Sequence, residues 1–211
     1  MNWGWLDRNL DVVLDYLREH IQITVISLVI GMLIAFPLGL IAYRWRQTYA
    51  PLLAITQILY TIPSLALFVL LINIVGLGPE PVIIGLAIYS LVILVRNLVE
   101  GLRGVPADVI DAATAMGYRP TRRLFAVELP LAVPAIVAGL RVAAVSTISL
   151  VSVGALIGTG GLGQLFIHGF QIDNPIEVWT GIVLTIALAF VVDGAIVLAG
   201  RAVTPWTRAG R

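Results

Sequence analysis

Residues Asp108 to Pro130 read DVIDAATAMGYRPTRRLFAVELP and form the one long polar interruption in an otherwise very apolar chain. Just before it, Pro106 stands where the first turn of a helix tolerates proline, and Asp111 falls in an early turn, where the helix dipole favours negative charge. Gly117 can adopt the left-handed conformation that ends many helices, and Pro120 can begin another helix. The stretch therefore predicts a helix, a tight turn and a second short helix.

The composition of the whole chain is that of a membrane protein. Of its 211 residues, 59% are hydrophobic and only 12% are charged, and the mean hydropathy is +1.00. A soluble domain carries about 25% charged residues. The predicted fold class is therefore all-α and integral to a membrane. The formal net charge of +1 gives no indication of a nucleic-acid partner.

Five long apolar runs predict five membrane-spanning helices. They lie at about residues 21–43, 52–75, 82–99, 131–157 and 176–200. Residues 101–130 then form a central loop between the third and fourth spans, and residues 201–211 form a short tail. The third span is the least distinct, because its uncharged part stops at Arg96, whose side chain would have to reach the membrane interface.

Residues 1–20 are amphipathic and predict a separate helix that lies flat at the membrane interface. Apolar side chains recur at helical spacing at Leu6, Leu10, Val13, Leu14 and Leu17. Trp3 and Trp5 also suit an interface. A cleaved signal peptide is disfavoured, because it would begin with basic residues, whereas this segment is acidic and the apolar run after it is too long.

The arginines are distributed unequally between the two sides that five spans define. One side holds only Arg8 and Arg18, among acidic residues. The other side holds Arg44, Arg46, Arg103, Arg119, Arg122, Arg123, Arg201, Arg208 and Arg211. Because the arginine-rich side of a membrane protein is cytoplasmic, we expect the N-terminus outside the cell, and the central loop and the C-terminus inside it.

Two charged residues, Arg141 and Asp193, fall inside the predicted fourth and fifth spans. Since a helix rises about 1.5 Å per residue, they lie at similar depths from the cytoplasmic side. Charges within a membrane are tolerated mainly when they are paired, so we predict a buried ion pair between the two helices. A structural clamp is the favoured role, and a role in substrate binding or gating stays open.

The second span contains a proline near its middle, within Tyr60-Thr61-Ile62-Pro63-Ser64. Proline frees a backbone carbonyl group, and the hydroxyl groups of Thr61 and Ser64 lie nearby in sequence. The segment therefore predicts a kink. Either the kink is satisfied within the bundle, or it lets this helix line a path through the membrane. The candidate pathway residues are Tyr60, Thr61, Pro63 and Ser64.

A glycine-rich segment, Gly158-Thr159-Gly160-Gly161-Leu162-Gly163, follows the fourth span. Its spacing matches the dinucleotide-binding fingerprint, but that fingerprint requires a strand before it, not a membrane span. A Walker-type phosphate loop needs lysine, and this chain contains none. Chemistry with ATP would therefore belong to another polypeptide. The glycines themselves predict either a flexible turn or a functional element at the outer face.

The central loop resembles the cytoplasmic loop of permease subunits of bacterial ABC importers, whose pattern is Glu-Ala-Ala, Gly, Ile and Leu-Pro at fixed spacings. Asp111-Ala112-Ala113, Gly117, Val127 and Leu129-Pro130 reproduce every spacing, with Asp in place of Glu and Val in place of Ile. The resemblance implies a type I importer permease fold, in which the loop contains coupling helices that contact separate ATPase subunits. ATP and magnesium would bind there, and this chain would be neither an enzyme nor a holder of cofactor or metal. The implied contact residues are Asp111, Ala112, Ala113, Met116, Gly117, Leu129 and Pro130.

Two further segments, Gln57–Leu67 and Glu128–Arg141, resemble the osmoprotectant permeases that import glycine betaine, carnitine and choline. Methionine importer permeases are the alternative, but they lack the run found here at Pro63–Leu67. The implied assembly contains a second permease copy or paralogue, the ATPase subunits and an extracytoplasmic substrate-binding protein, in the lipid bilayer of a bacterial inner membrane. An outer gate or a docking surface for the binding protein would include Gly160, Gly161 and Gly163.

Two hypotheses of a different class are also considered. A passive channel would fit five kinked spans, but it predicts no nucleotide-binding partner. A membrane enzyme is disfavoured, because the chain has no cysteine and its two histidines, His20 and His168, are far apart in sequence. No histidine–carboxylate cluster or serine–base cluster falls inside the spans.

Overall fold

Helices and short turns make up the described part of the computed structural model, which is residues 4–208. The α-helices are α1 (Gly4–Arg8), α2 (Leu10–Arg44), α3 (Arg46–Thr61), α4 (Ser64–Val75), α5 (Glu80–Arg103), α6 (Ala107–Ala115), α7 (Pro120–Arg123), α8 (Leu129–Val151), α9 (Gly163–Gln171) and α10 (Pro175–Val203). A π-helical turn, Leu124–Glu128, joins α7 to α8, and 3₁₀ turns follow at Ser152–Ile157 and Pro205–Arg208. The predicted all-α fold is confirmed.

The helices are long and apolar enough for a multi-pass membrane protein. Four stretches meet this description on their own: Leu10–Arg44, Glu80–Arg103, Pro120–Ile157 and Pro175–Val203. The bent pair α3 and α4 makes a fifth span if the two helices are counted together. The third predicted span, which was expected to be the least distinct, corresponds to α5. It is the best packed of these four stretches, since 61% of its most apolar 18-residue segment is buried.

Helix α5 lies between α2 and α8, and small residues let the three helices approach closely. A Cβ atom on Gly31 of α2 would lie 2.0 Å from Ser90 Oγ of α5. On the other side, a Cβ atom on Gly139 of α8 would lie 2.4 Å from Asn97 Cβ. Val95, between these contacts, is fully buried. Close backbone approach at small residues is how membrane helices pack in the absence of a hydrophobic driving force, so α2, α5 and α8 form one packed unit.

The second predicted span is a broken helix pair, not a single kinked helix. α3 ends at Thr61, α4 begins at Ser64, and the two axes differ by 93°. Ile62 has an extended backbone with φ −64° and ψ 130°, because the ring of Pro63 disfavours the helical region for the residue before it. The Ile62 carbonyl accepts a hydrogen bond from the Tyr89 hydroxyl of α5. A tertiary contact therefore stabilises the break.

The predicted interfacial helix and the first span form one helix, so the predicted boundary at residue 20 is wrong. α2 continues for 35 residues, or about 52 Å at about 1.5 Å per residue. Near residue 20 no proline or glycine interrupts the hydrogen-bond ladder, and helix propagation is favourable once started. Val13 is buried against α8, α9 and α10, whereas Leu10 and Leu14 stay half exposed. Trp3 lies outside the described residues.

Candidate functional site

The central loop has the helix–turn–helix form that the sequence predicts. α6 is followed by Gly117 with φ +82°, a conformation that favours glycine. The turn is closed by a hydrogen bond of 3.1 Å from the Tyr118 N–H to the Ala113 carbonyl. Pro120 begins the second short helix, α7, as predicted. A π-helical turn then joins α7 to α8, which begins at Leu129, close to the predicted start of the fourth span.

Most of α6 and its turn is exposed, and the exposed face includes the predicted contact residues Asp111, Ala112, Met116 and Gly117. Met116 is 70% exposed, so its apolar side chain is available to a partner. Ala113, by contrast, is 1% exposed and faces into the chain. Its side chain therefore packs within this chain, whereas the other predicted contact residues of α6 are exposed.

Leu129 and Pro130, the other two residues of the predicted contact, lie at the start of α8 and are half-buried. Leu129 packs against the cluster that contains Leu98 and Leu102 of α5. These apolar contacts hold the loop against the bundle. The structure thus separates the predicted residues into an exposed face on α6 and an anchor at the start of α8.

A buried polar network connects α6 to the first long helix. The Glu128 carboxylate is 1% exposed and accepts hydrogen bonds from the Tyr43 hydroxyl (2.7 Å) and from Arg123 Nε (2.6 Å). Arg123 also donates from Nη1 to Thr114 Oγ1 on α6, at 2.8 Å. Two side chains therefore link α6 to Tyr43, near the end of α2.

This network was not predicted from the sequence, where Glu128 is only the residue between Val127 and Leu129 of the loop pattern. The signal was a lone acidic residue at the start of an apolar helix, five residues after Arg123. The π-helical turn that ends at Glu128 adds a residue to the turn, and such turns often occur at functional sites. Arg123, one of the arginines counted on the predicted cytoplasmic side, points inward to this carboxylate.

The candidate pathway residues lie together at the break between α3 and α4. Tyr60, Thr61 and Pro63 are exposed, and Ser64 is half-buried. The rings of Tyr60 and Tyr89 meet edge to face, with centroids 5.4 Å apart. Thr61 Oγ1 donates to the Ile58 carbonyl at 2.7 Å, which satisfies one group freed by the break. The break therefore presents aromatic and polar groups on a surface that this chain leaves open.

The glycine-rich segment is tightly packed, so the flexible-turn interpretation is wrong. Gly160, Gly161 and Gly163 are all buried. His20 of α2 contacts this segment and is fully buried. Its Nδ1 accepts a hydrogen bond from the Leu162 N–H (3.3 Å), so Nε2 carries the proton and donates to the Ile148 carbonyl (3.0 Å). His20, which the sequence analysis did not single out, thus joins α2, α8 and the glycine-rich segment.

Gly161→Ala should destabilise the chain more than the matched change Gly158→Ala. Both glycines have positive φ, +50° and +86°, so both changes add backbone strain of about 1–2 kcal/mol. Only at Gly161 would the new Cβ also lie within 2.7 Å of the backbone of His20, which adds about 1–3 kcal/mol of overpacking. Thermal unfolding in detergent measures the difference. Equal unfolding temperatures for the two variants would mean that the close approach to His20 does not affect stability.

Arg141 and Asp193 form an ion pair between α8 and α10. Arg141 Nε lies 2.7 Å from Asp193 Oδ1, and Nη2 lies 2.8 Å from Oδ2, so the contact is bidentate. The pair is not buried within the chain as predicted, because the side chains are 44% and 27% exposed. The pair therefore lies on the surface of the bundle, where it links α8 to α10.

Neutralising either partner, by Arg141→Gln or Asp193→Asn, should lower the folded yield in membranes, because the other charge is left without its partner in an apolar environment. The swap Arg141→Asp with Asp193→Arg should recover part of that yield. Arg96→Gln is the matched control. Arg96 pairs with Glu100 on the exposed surface of its own helix, α5, so this change should have little effect on the yield. A swap that recovers nothing would contradict the clamp.

Apolar helices around a packed centre, with an exposed helical loop braced by polar contacts, are the features of a multi-pass membrane protein. The chain belongs to the family of binding-protein-dependent transport system inner membrane components, whose family model matches residues 27–205. The predicted resemblance to permeases of ABC importers is therefore confirmed.

Similar proteins include permeases of known systems. The chain is 35% identical to the choline transport system permease protein OpuBB of Bacillus subtilis (strain 168), over 89% of this chain and 86% of that protein. It is 32% identical to the glycine betaine/carnitine/choline transport system permease protein OpuCB of the same strain, over the same shares. It is also similar to a chain of the inward-facing MetNI methionine ABC transporter, with a TM-score of 0.84 and 25% identity, over 97% of this chain and 100% of that chain.

Proposed function

We propose that this chain is the permease subunit of an ATP-driven importer for a quaternary ammonium osmoprotectant, such as glycine betaine or choline. The observation that carries the proposal is the 35% identity to a choline permease over 89% of the chain. Permeases for glycine betaine, carnitine and choline are 31–32% identical. The methionine transporter chain is 25% identical, which supports the shared fold more than a shared substrate.

The exposed face of α6 is the proposed docking surface for a separate ATPase. An exposed helix with an apolar residue such as Met116 fits the groove of a partner, as in other helix-in-groove complexes. Asp111, Ala112 and Gly117 would lie in the same contact. ATP and magnesium would bind to the ATPase, and this chain would contribute no catalytic residue. By the arginine bias, this end of the bundle is cytoplasmic, and the N-terminus is outside.

The Glu128 network would transmit movement of the ATPase to the spans. When the ATPase subunits close, α6 moves with them, and Thr114 and Arg123 pull on the buried carboxylate of Glu128. Tyr43 passes this movement to α2, which is packed against α5. Packed helices shift as units, so two permease subunits would open and close a shared path in turn. The break near Tyr60 would line that path.

A transport assay tests this proposal. The chain is reconstituted in vesicles with its candidate ATPase and binding protein, and uptake of radiolabelled choline, glycine betaine and methionine is measured with and without ATP. We expect ATP-dependent uptake of a quaternary ammonium compound and none of methionine. ATP-dependent uptake of methionine alone would favour the methionine importer, and flux that is independent of ATP would favour the passive channel.

A further inference from the structure

A cavity of about 730 Å³ lies at the arginine-rich end of the bundle, between the ends of α2 and α5 and the start of α7. Four guanidinium groups line it, and they belong to Arg44, Arg46, Arg103 and Arg123. The carboxylate that also lines it, Glu128, already accepts hydrogen bonds from Arg123 and a tyrosine. The cavity is therefore lined by four positively charged side chains and one negatively charged side chain, so its net charge is positive.

Three of the four arginines have no carboxylate partner within residues 4–208. Arg44 and Arg46 form no ion pair there, and Arg103 lies over the ring of Tyr49, with its guanidinium carbon 4.2 Å from the ring centroid. Stacking on an aromatic ring leaves the edges of a guanidinium group free to donate hydrogen bonds. Such forks of N–H donors match the oxygen atoms of a phosphate group. The cavity therefore offers a site for a phosphate-bearing anion.

The position of the cavity decides which phosphate it suits. Arg44 and Arg103 are the last residues of two helices long enough to cross a membrane, so they lie at the level of lipid head groups. The cavity wall is also apolar, at Ile41 and Leu124, and Trp45 beside them is 55% exposed. Tryptophan is typical of the interface between lipid and water. A phosphate with acyl chains attached would satisfy the arginines and the apolar wall together.

We propose that this arginine cavity binds the head group of an anionic phospholipid. The bound phosphate would contact the end of α2, the end of α5 and α7 at once, beside the Arg123–Glu128 ion pair. It would thus hold the central loop against the spans. The site goes beyond the proposed transport function, because binding depends on the arginines and the apolar wall of the cavity and not on the transported substrate.

Lipid binding to the purified full chain tests the proposal without any transport. Native mass spectrometry compares phosphatidylglycerol with phosphatidylcholine, and thermal unfolding in detergent compares phosphatidylglycerol with glycerol phosphate and inorganic phosphate. We expect preferential retention of phosphatidylglycerol and a raised unfolding midpoint with that lipid only. The same rise with glycerol phosphate or inorganic phosphate would overturn the lipid assignment in favour of a soluble anion.

Matched variants locate the site. Arg44→Gln with Arg46→Gln should weaken phosphatidylglycerol retention roughly tenfold or more, since each basic residue near an anionic surface contributes about 1 kcal/mol. Arg122→Gln should leave retention unchanged, because Arg122 is at the same end of the bundle but stacks over Tyr118 outside the cavity. Arg44→Lys with Arg46→Lys keeps the charge but loses the guanidinium forks, so it should retain more phosphatidylglycerol than the glutamine pair and less than the unchanged chain, which separates a lost site from a misfolded chain. Unchanged retention in the glutamine pair would refute the site.

Discussion

Replacing Arg123 with alanine is expected to destabilise the chain by about 3–5 kcal/mol, because the change leaves a buried carboxylate without its charged partner. Glu128 has a side chain that is 2% exposed, so water cannot take the place of the guanidinium group. The reverse change, Glu128→Ala, should cost less, about 1–3 kcal/mol. It leaves Arg123, which is 24% exposed and can turn toward solvent.

A double-mutant cycle of Arg123→Ala, Glu128→Gln and the two changes together, measured by unfolding in detergent, separates the ion pair from its surroundings. Combining Arg123→Ala with Glu128→Gln removes the buried charge and should recover a large part of the stability that Arg123→Ala loses. The neighbouring change Arg122→Ala is the control, since that side chain stacks over Tyr118 and has no buried partner. If Arg122→Ala costs as much as Arg123→Ala, or if the double variant is no more stable than Arg123→Ala, the network does not stabilise the loop.

Replacing Gly117 with aspartate is expected to reduce ATP-dependent uptake to background, while insertion into the membrane stays intact. A Cβ atom at Gly117 would meet nothing within 4 Å, so the change should cost the chain only the strain of its φ of +82°, about 1–2 kcal/mol. The new carboxylate would stand on the exposed turn at the end of α6. It would add a second negative charge to the proposed contact with the ATPase.

Gly76→Asp provides the matched control for this change. Gly76 also has a positive φ, +87°, and open space around it, but it lies at the other end of α5 from the central loop. We expect Gly76→Asp to be inserted and to support uptake, whereas Gly117→Asp is inserted and does not. Normal substrate-stimulated ATP hydrolysis with Gly117→Asp would refute the role of this turn in coupling.

The parts of the site that could be predicted from the sequence are those set by local chemistry. The helix ending at Gly117 and the helix beginning at Pro120 follow from backbone preferences that act within a few residues. The membrane class follows from composition. The extension of α2 through residue 20 was missed, since amphipathicity indicates which face of a helix is apolar but not where an uninterrupted helix stops.

The parts that could not be predicted depend on contacts between distant residues. Pro63 predicts a kink in the second span. The 93° break also depends on a hydrogen bond from the hydroxyl group of Tyr89 to the Ile62 carbonyl, 27 residues before it. Glu128 becomes a central group only because Tyr43, 85 residues before it, lies beside it in the fold. Likewise, the burial of Ala113 is decided by packing and not by its place in the Asp111-Ala112-Ala113 pattern.

Cysteine cross-linking tests most directly the central claim, that the exposed face of α6 contacts a separate ATPase. The chain has no cysteine of its own, so Met116→Cys introduces a single reactive group on that face, and Leu77→Cys introduces one at the opposite end of α5, where Leu77 is 83% exposed. The assembled transporter is treated with a short bifunctional reagent, and the products are separated by mass. We predict that Met116→Cys is linked to the ATPase and that Leu77→Cys is not. Absence of a link from Met116→Cys, or equal linking from both positions, would contradict the account.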